Sequence, residues 1–190
     1  LEPLKKARAG GIGSLHILAM VLAQLGRIDE AGIQIKELLQ RVPFANLAYY
    51  RALHQHYRLN RDLEHRLDSL RKAGLPAWPF GYNGRPEDRL DTAALRKLTL
   101  GRTWFGRGEN GVPFVQQTSA DNVVAFRNNV SLMTGTAWVE GGMLCVHFPA
   151  TLVSRKSCSY VFRNPKGAPE TGDEYVQVGV GNVLYFSATP

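Results

Sequence analysis

Cys145, His147 and Cys158 are the residues whose types and spacing come closest to a reactive or metal-binding set. Cys145 and His147 stand two apart in the run MLCVHF, so on a strand their side chains share a face. Partners across an antiparallel hairpin sum to a constant, and pairing Cys145 with Cys158 centres the connection near residues 151 and 152. Three readings are then open: a cross-strand disulfide, two reduced core thiols, or a metal site completed by His147. A structural zinc site takes four ligands, and no second histidine lies nearby in sequence, so no metal ligand set is assigned. The remaining histidines, His16, His54, His56 and His65, fall in the first half of the chain. His54 and His56 are two apart, which on a helix points them to different faces.

No Gly-x-Ser-x-Gly, phosphate-binding glycine loop or His-Glu-x-x-His occurs. Gly106–Gly108 and Gly179–Gly181 read as turns, and Asp173-Glu174 as the exposed start of a strand. A nucleophile, a base and oxyanion donors cannot be assembled from what is left, so no catalytic residue and no cofactor is expected. Binding is the chemistry that remains. The aromatic residues of the second half read mainly as core. Trp104, Trp138, Tyr160 and Tyr175 are the candidates for lining a ligand cavity, since large rings with a polar handle serve both roles. In the first half Tyr50, Arg51, His54, Arg58 and Arg61 form a basic and aromatic set that could meet a protein partner.

The chain of 190 residues carries a net charge of +7. That excess is spread over both halves without any run of five basic residues, which predicts a mildly basic surface and no nucleic-acid footprint. The longest apolar run, Ile17–Ala23, falls far short of the roughly 20 residues that span a bilayer, so no membrane partner is expected. The opening LEPLKK lacks Met and an apolar signal core, as in a fragment of something longer.

Two kinds of element must position the candidates. Residues 14–40 repeat apolar positions every 3.6 residues, with Leu15, Leu18, Leu22 and Leu25 on one stripe and Ile28, Ala31, Ile35, Leu38 and Leu39 on another. Gly26 divides the stripes, and Pro43 stops the second helix. The segment LGRIDEA (25–31) fits the tight turn of a tetratricopeptide repeat. Thirty-four residues on, LNRDLEH (59–65) repeats it with His65 in place of the small residue. Residues 1–77 therefore read as a tetratricopeptide-like domain of two helical hairpins. Residues 78–91 hold Trp78, Phe80 and Tyr82 among prolines and glycines, which suits an ordered connector better than a flexible linker. From 92 to 190 a short helix, capped by Asp91 or Thr92, leads into seven or eight short strands with turns at Asn110-Gly111, Gly141-Gly142 and Gly181-Asn182. The expected fold is α+β, with the second domain a small antiparallel barrel or sandwich, best pictured as an up-and-down, lipocalin-like meander with a helix at its mouth.

LGRIDEA (25–31), YRLNRDLEHRLDSLRKAGLP (57–76), LRKLTLGRTWFGR (95–107) and MLCVHF…CSYVFRNP (143–165) together resemble the C-terminal tails of bacterial class III adenylate/guanylate cyclases of the rhizobial type. In such proteins a cytoplasmic cyclase domain is followed by tetratricopeptide repeats and a small β domain. The resemblance implies a non-catalytic regulatory or protein-interaction tail in the cytoplasm, whose partner is another protein or the cyclase's own catalytic domain. A small-molecule-binding sensor barrel is the alternative.

Overall fold

The computed structural model describes residues 12–53, 60–149, 156–165 and 172–189. The chain folds into two compact units, Leu1–Asn83 and Gly84–Pro190, each with a hydrophobic core of its own.

In the first unit the described helices are α1 (Ile12–Gln24), α2 (Ile28–Arg41), α3 (Leu47–Leu53) and α4 (Asn60–Lys72). α1 has no charged side chain and is apolar on nearly every face, so it can be covered by more than one neighbour. It lies against both α2 and α4, while α3 lies against α4. Leu15, Leu18 and Leu22 are buried with Ile35, Leu38, Leu67 and Leu70. Leu25, expected on that stripe, is instead 62% exposed in the turn beyond α1.

Both α1 and α4 end in the same way. Gly26 has φ 75°, the Arg27 N–H reaches back to the Leu22 carbonyl, and the Gly26 N–H to that of Ala23. Gly74, at φ 89°, repeats this pattern through Leu75 and Leu70. This is the double carbonyl cap that a residue in left-handed conformation permits. Ala31 is fully buried, whereas His65, its counterpart in the second hairpin, is exposed. The segment read as a connector contains two 3-10 turns, Pro79–Gly81 and Pro86–Asp88. Residues up to Asn83 belong to the helical unit, where the Phe80 N–H bonds the Pro43 carbonyl.

The second unit is α5 (Thr92–Thr99) followed by eight strands. They are β1 (Arg102–Gly108), β2 (Pro113–Thr118), β3 (Val123–Asn128), β4 (Leu132–Glu140), β5 (Met143–His147), β6 (Ser157–Arg163), β7 (Tyr175–Val178) and β8 (Val183–Thr189). Each pairs antiparallel with the next, and β8 pairs with β1, so the sheet closes into an up-and-down barrel without a free edge. Between the barrel and sandwich expected from sequence, the barrel is what forms. Of the seven or eight strands expected, eight form, and β4 runs straight through Gly135, which pairs with Val124 inside the strand.

Alternation selects the interior. Trp104, Phe114, Val124, Ala137, Leu144, Val161 and Phe186 occupy inward positions and fill the barrel with side chains. Phe105, the neighbour of Trp104, points out and is 44% exposed. The Asp91 carboxylate caps α5, accepting the Ala94 N–H at 2.8 Å. Leu95 is buried against the core, so the helix stoppers one end of the barrel.

Candidate functional site

The site at the stoppered end begins with an incomplete seam. The β5–β6 ladder has only three pairs, Leu144–Ser159, Cys145–Cys158 and Val146–Ser157. Beyond Ser159 β6 parts from β5, and the segment entering α5 takes the vacated place. Arg89 bridges Phe162, and the Leu90 N–H donates to the Val161 carbonyl at 2.8 Å. The Arg89 guanidinium also lies over the Tyr160 ring, 5.1 Å from its centre. α5 is thereby tied to β6 at its start. At its other end the Trp104 indole N–H donates to the Leu98 carbonyl at 2.9 Å.

Between this helix and the strand ends lies a cavity of about 340 Å³. Leu90, Ala94 and Leu98 line it from the helix side, and Tyr175 and Ala188 from β7 and β8. Lys97 of α5, Arg102 at the start of β1 and Arg163 at the end of β6 reach the same space, with Glu174 as its acid. Arg102 shares the inward parity of Trp104, and Arg163 that of Val161. Among the described residues none of the three cations forms an ion pair. Arg163 makes itself felt at Asp88, whose carboxyl is held below its usual range mainly by a hydrogen bond from Arg85 and in smaller part by the Arg163 charge. The arrangement can take an apolar body against the leucine and alanine side chains and a polar or charged group at the rim.

The opposite mouth differs. Its cavity is about 150 Å³ and its polar groups are already engaged in turns. The Asn110 side-chain Oδ1 accepts the Val112 N–H, that of Asn128 accepts the Val130 and Ser131 N–H groups, and the Glu109 carboxylate accepts the Val183 N–H. In the interior the Gln177 amide donates to the Ser159 hydroxyl at 2.6 Å, while Gln116 Nε2 and Gln177 Oε1 have no partner among the described residues.

The four aromatic candidates are not brought to one place. Trp104 is 1% exposed and stacks on Phe186, with ring centres 4.0 Å apart. Tyr175 also stacks on Phe186, at 5.5 Å, and alone of the four lines the cavity. Trp138 points outward, where Lys156 sits 5.2 Å from its ring centre and its indole N–H donates to Glu140 at 3.1 Å. Tyr160 points outward beneath Arg89. Cys145 and Cys158, directly opposed with Cα atoms 4.0 Å apart, form a disulfide, the pairing that the hairpin arithmetic allowed. Among the described residues no three His, Cys, Asp or Glu side chains gather as a metal site, His147 with the cysteines included.

In the helical unit the partner set also disperses. Tyr50 is 4% exposed in the core against His16, and burial pushes its hydroxyl up to about 12. Arg51 is exposed but held by Glu64 at 2.5 Å, a hydrogen bond that keeps the Glu64 carboxyl below its usual range. Arg61 is exposed on α4. His54 and Arg58 lie outside the described residues.

Lys97, Arg102 and Arg163 do not stand out in the sequence, where each is one basic residue among many. Their common signal is position: Arg102 and Arg163 occupy inward-parity ends of strands, where an alternating barrel would ordinarily place a side chain free to reach solvent. Among the described residues no helix is long and apolar enough to cross a membrane. No protein-family model, curated protein or solved structure matches this chain.

Proposed function

We propose that this chain is a non-catalytic regulatory module whose barrel binds a small organic molecule at the mouth closed by α5. The observation that carries this reading is the cavity of about 340 Å³ with apolar walls and three cations converging on its rim. Its size falls at the lower end of the about 300–1,000 Å³ typical of ligand pockets. Occupation would be felt by α5 directly, because its Ala94 and Leu98 line the cavity. A ligand-dependent shift of that helix is a signal a partner can read.

The regulatory setting rests on the resemblance of LGRIDEA and the strand segments to bacterial nucleotide-cyclase tails. In that setting the tetratricopeptide-like unit meets a protein partner or the catalytic domain in the cytoplasm, and neither ATP nor GTP is turned over by this chain. A neutral apolar dye, N-phenyl-1-naphthylamine, tests the binding. Its fluorescence should rise and saturate at one molecule per barrel. Ala188→Trp, which fills the cavity, should abolish the rise while leaving the β-sheet circular dichroism intact. Dye binding that does not saturate, or that survives Ala188→Trp in a folded protein, refutes a ligand site at this mouth.

A further inference from the structure

We infer that the natural ligand of this mouth is an organic anion: a compact apolar body, one ring or a short chain, bearing a single carboxylate or phosphate. The inference rests on the proposed binding function and adds the charge of the ligand to it. Lys97, Arg102 and Arg163 come from a helix and from two strands three places apart around the barrel, yet all line one cavity. Among the described residues their only acid there is Glu174, which leaves an excess of two positive charges among those that line the cavity. None is ion-paired among the described residues, although elsewhere on the surface Arg27, Arg41, Arg51 and Arg85 each hold a carboxylate. Like charges gathered at one rim repel one another, and an oxyanion there relieves the repulsion while accepting charge-assisted hydrogen bonds. Arg102 and Arg163 each offer a planar fork suited to a carboxylate or phosphate edge. Among the described residues the wall below them contains Leu90, Leu98 and Ala188 and no further charge, so the body of the ligand is apolar.

Displacement of bound N-phenyl-1-naphthylamine by two compounds of equal shape tests the charge alone: 3-phenylpropionate and 3-phenylpropan-1-ol. The carboxylate should displace the dye at a concentration at least about tenfold lower than the alcohol, the scale of a pair of charge-assisted contacts. That preference should vanish in Arg102→Gln/Arg163→Gln, and should shrink in 0.5 M sodium chloride for the carboxylate only. The double variant replaces two groups that the core does not bury, and its retained dye binding shows that the cavity is intact. Equal displacement by acid and alcohol, or a preference that survives the double variant, overturns the anion while leaving a ligand site in place. Failure of the dye itself to bind overturns the function on which the inference rests.

Discussion

Gly106 faces the barrel interior between Phe114 of β2 and Phe186 of β8. A Cβ built there runs into the Tyr185 carbonyl, and one on Gly135 of β4 runs into the carbonyl of His147. Both clashes are with backbone, so neither neighbour can swing aside. These glycines are where strands coil closely past one another, a recurrent device for closing a small barrel. Gly106→Ala and Gly135→Ala should therefore each lower barrel stability by about 1–3 kcal/mol, the range for overpacking a filled interior. Gly111→Ala probes the contrasting case, because its Cβ meets nothing within 4 Å and only its φ of 76° is strained. Urea midpoints of the three variants separate close approach from turn strain; a Gly106→Ala barrel as stable as the parent would remove the first. In sequence Gly106 looks like any turn glycine. Its neighbours in space, at positions 185 and 186, are some eighty residues away and cannot be seen from composition. The inward or outward choice for Trp104 and Trp138 is equally hidden, since both sit in runs of mixed aromatic and polar residues and a shift of one residue exchanges the faces.

Among elements, the β5–β6 hairpin is the most legible in sequence and has the shortest ladder in the barrel. Its register follows from two cysteine numbers, and the observed pairs Leu144–Ser159 and Val146–Ser157 keep the same sum. How soon the strands separate is hidden, as is the completion of the gap by Arg89 and Leu90, because the turn preceding α5 shows no strand alternation. Three pairs hold β5 to β6, whereas β1 and β2 share six. The disulfide lies on the middle pair of the three. Closing a loop across a separation of 13 residues restricts the unfolded chain by an amount worth about 3 kcal/mol. Reduction, or Cys145→Ala/Cys158→Ala, should thus lower the denaturant midpoint of the barrel by that order and leave the helical signal of the first unit in place. A midpoint unchanged by reductant would show that the seam does not depend on the bond. The expectation of a cytoplasmic tail and the observed bond pull in opposite directions, because a glutathione-buffered compartment keeps ordinary thiols reduced. Thiol counting on freshly lysed cells, before exposure to air, decides which state the chain carries in place.

At the scale of the whole molecule, the order of helices then strands is plain from the change in hydrophobic period near residue 100, and α5 is legible from Asp91 and Gly101 at its ends. The packing of the helical unit is less so. The period that suggests two successive hairpins is satisfied with α1 touching both α2 and α4, a choice made by the apolar circumference of α1 and not by repeat spacing. The two cores share no residue. The barrel has its own stopper helix, its own disulfide and a sheet with no open edge, which are the ingredients of an autonomous folding unit. A fragment spanning Gly84–Pro190 should consequently fold by itself. Its Trp104, sealed at 1% exposure and hydrogen-bonded to Leu98, should emit at the short wavelength of a buried indole and shift red in one cooperative urea transition. The slope of that transition should be smaller than for a single transition of the full chain, because less surface is exposed on unfolding. A fragment with native far-ultraviolet signal but no near-ultraviolet signal, binding hydrophobic dye without saturation, would be a collapsed and unpacked state. That outcome would mean that the barrel core, complete as its set of side chains is, does not close without the helical unit.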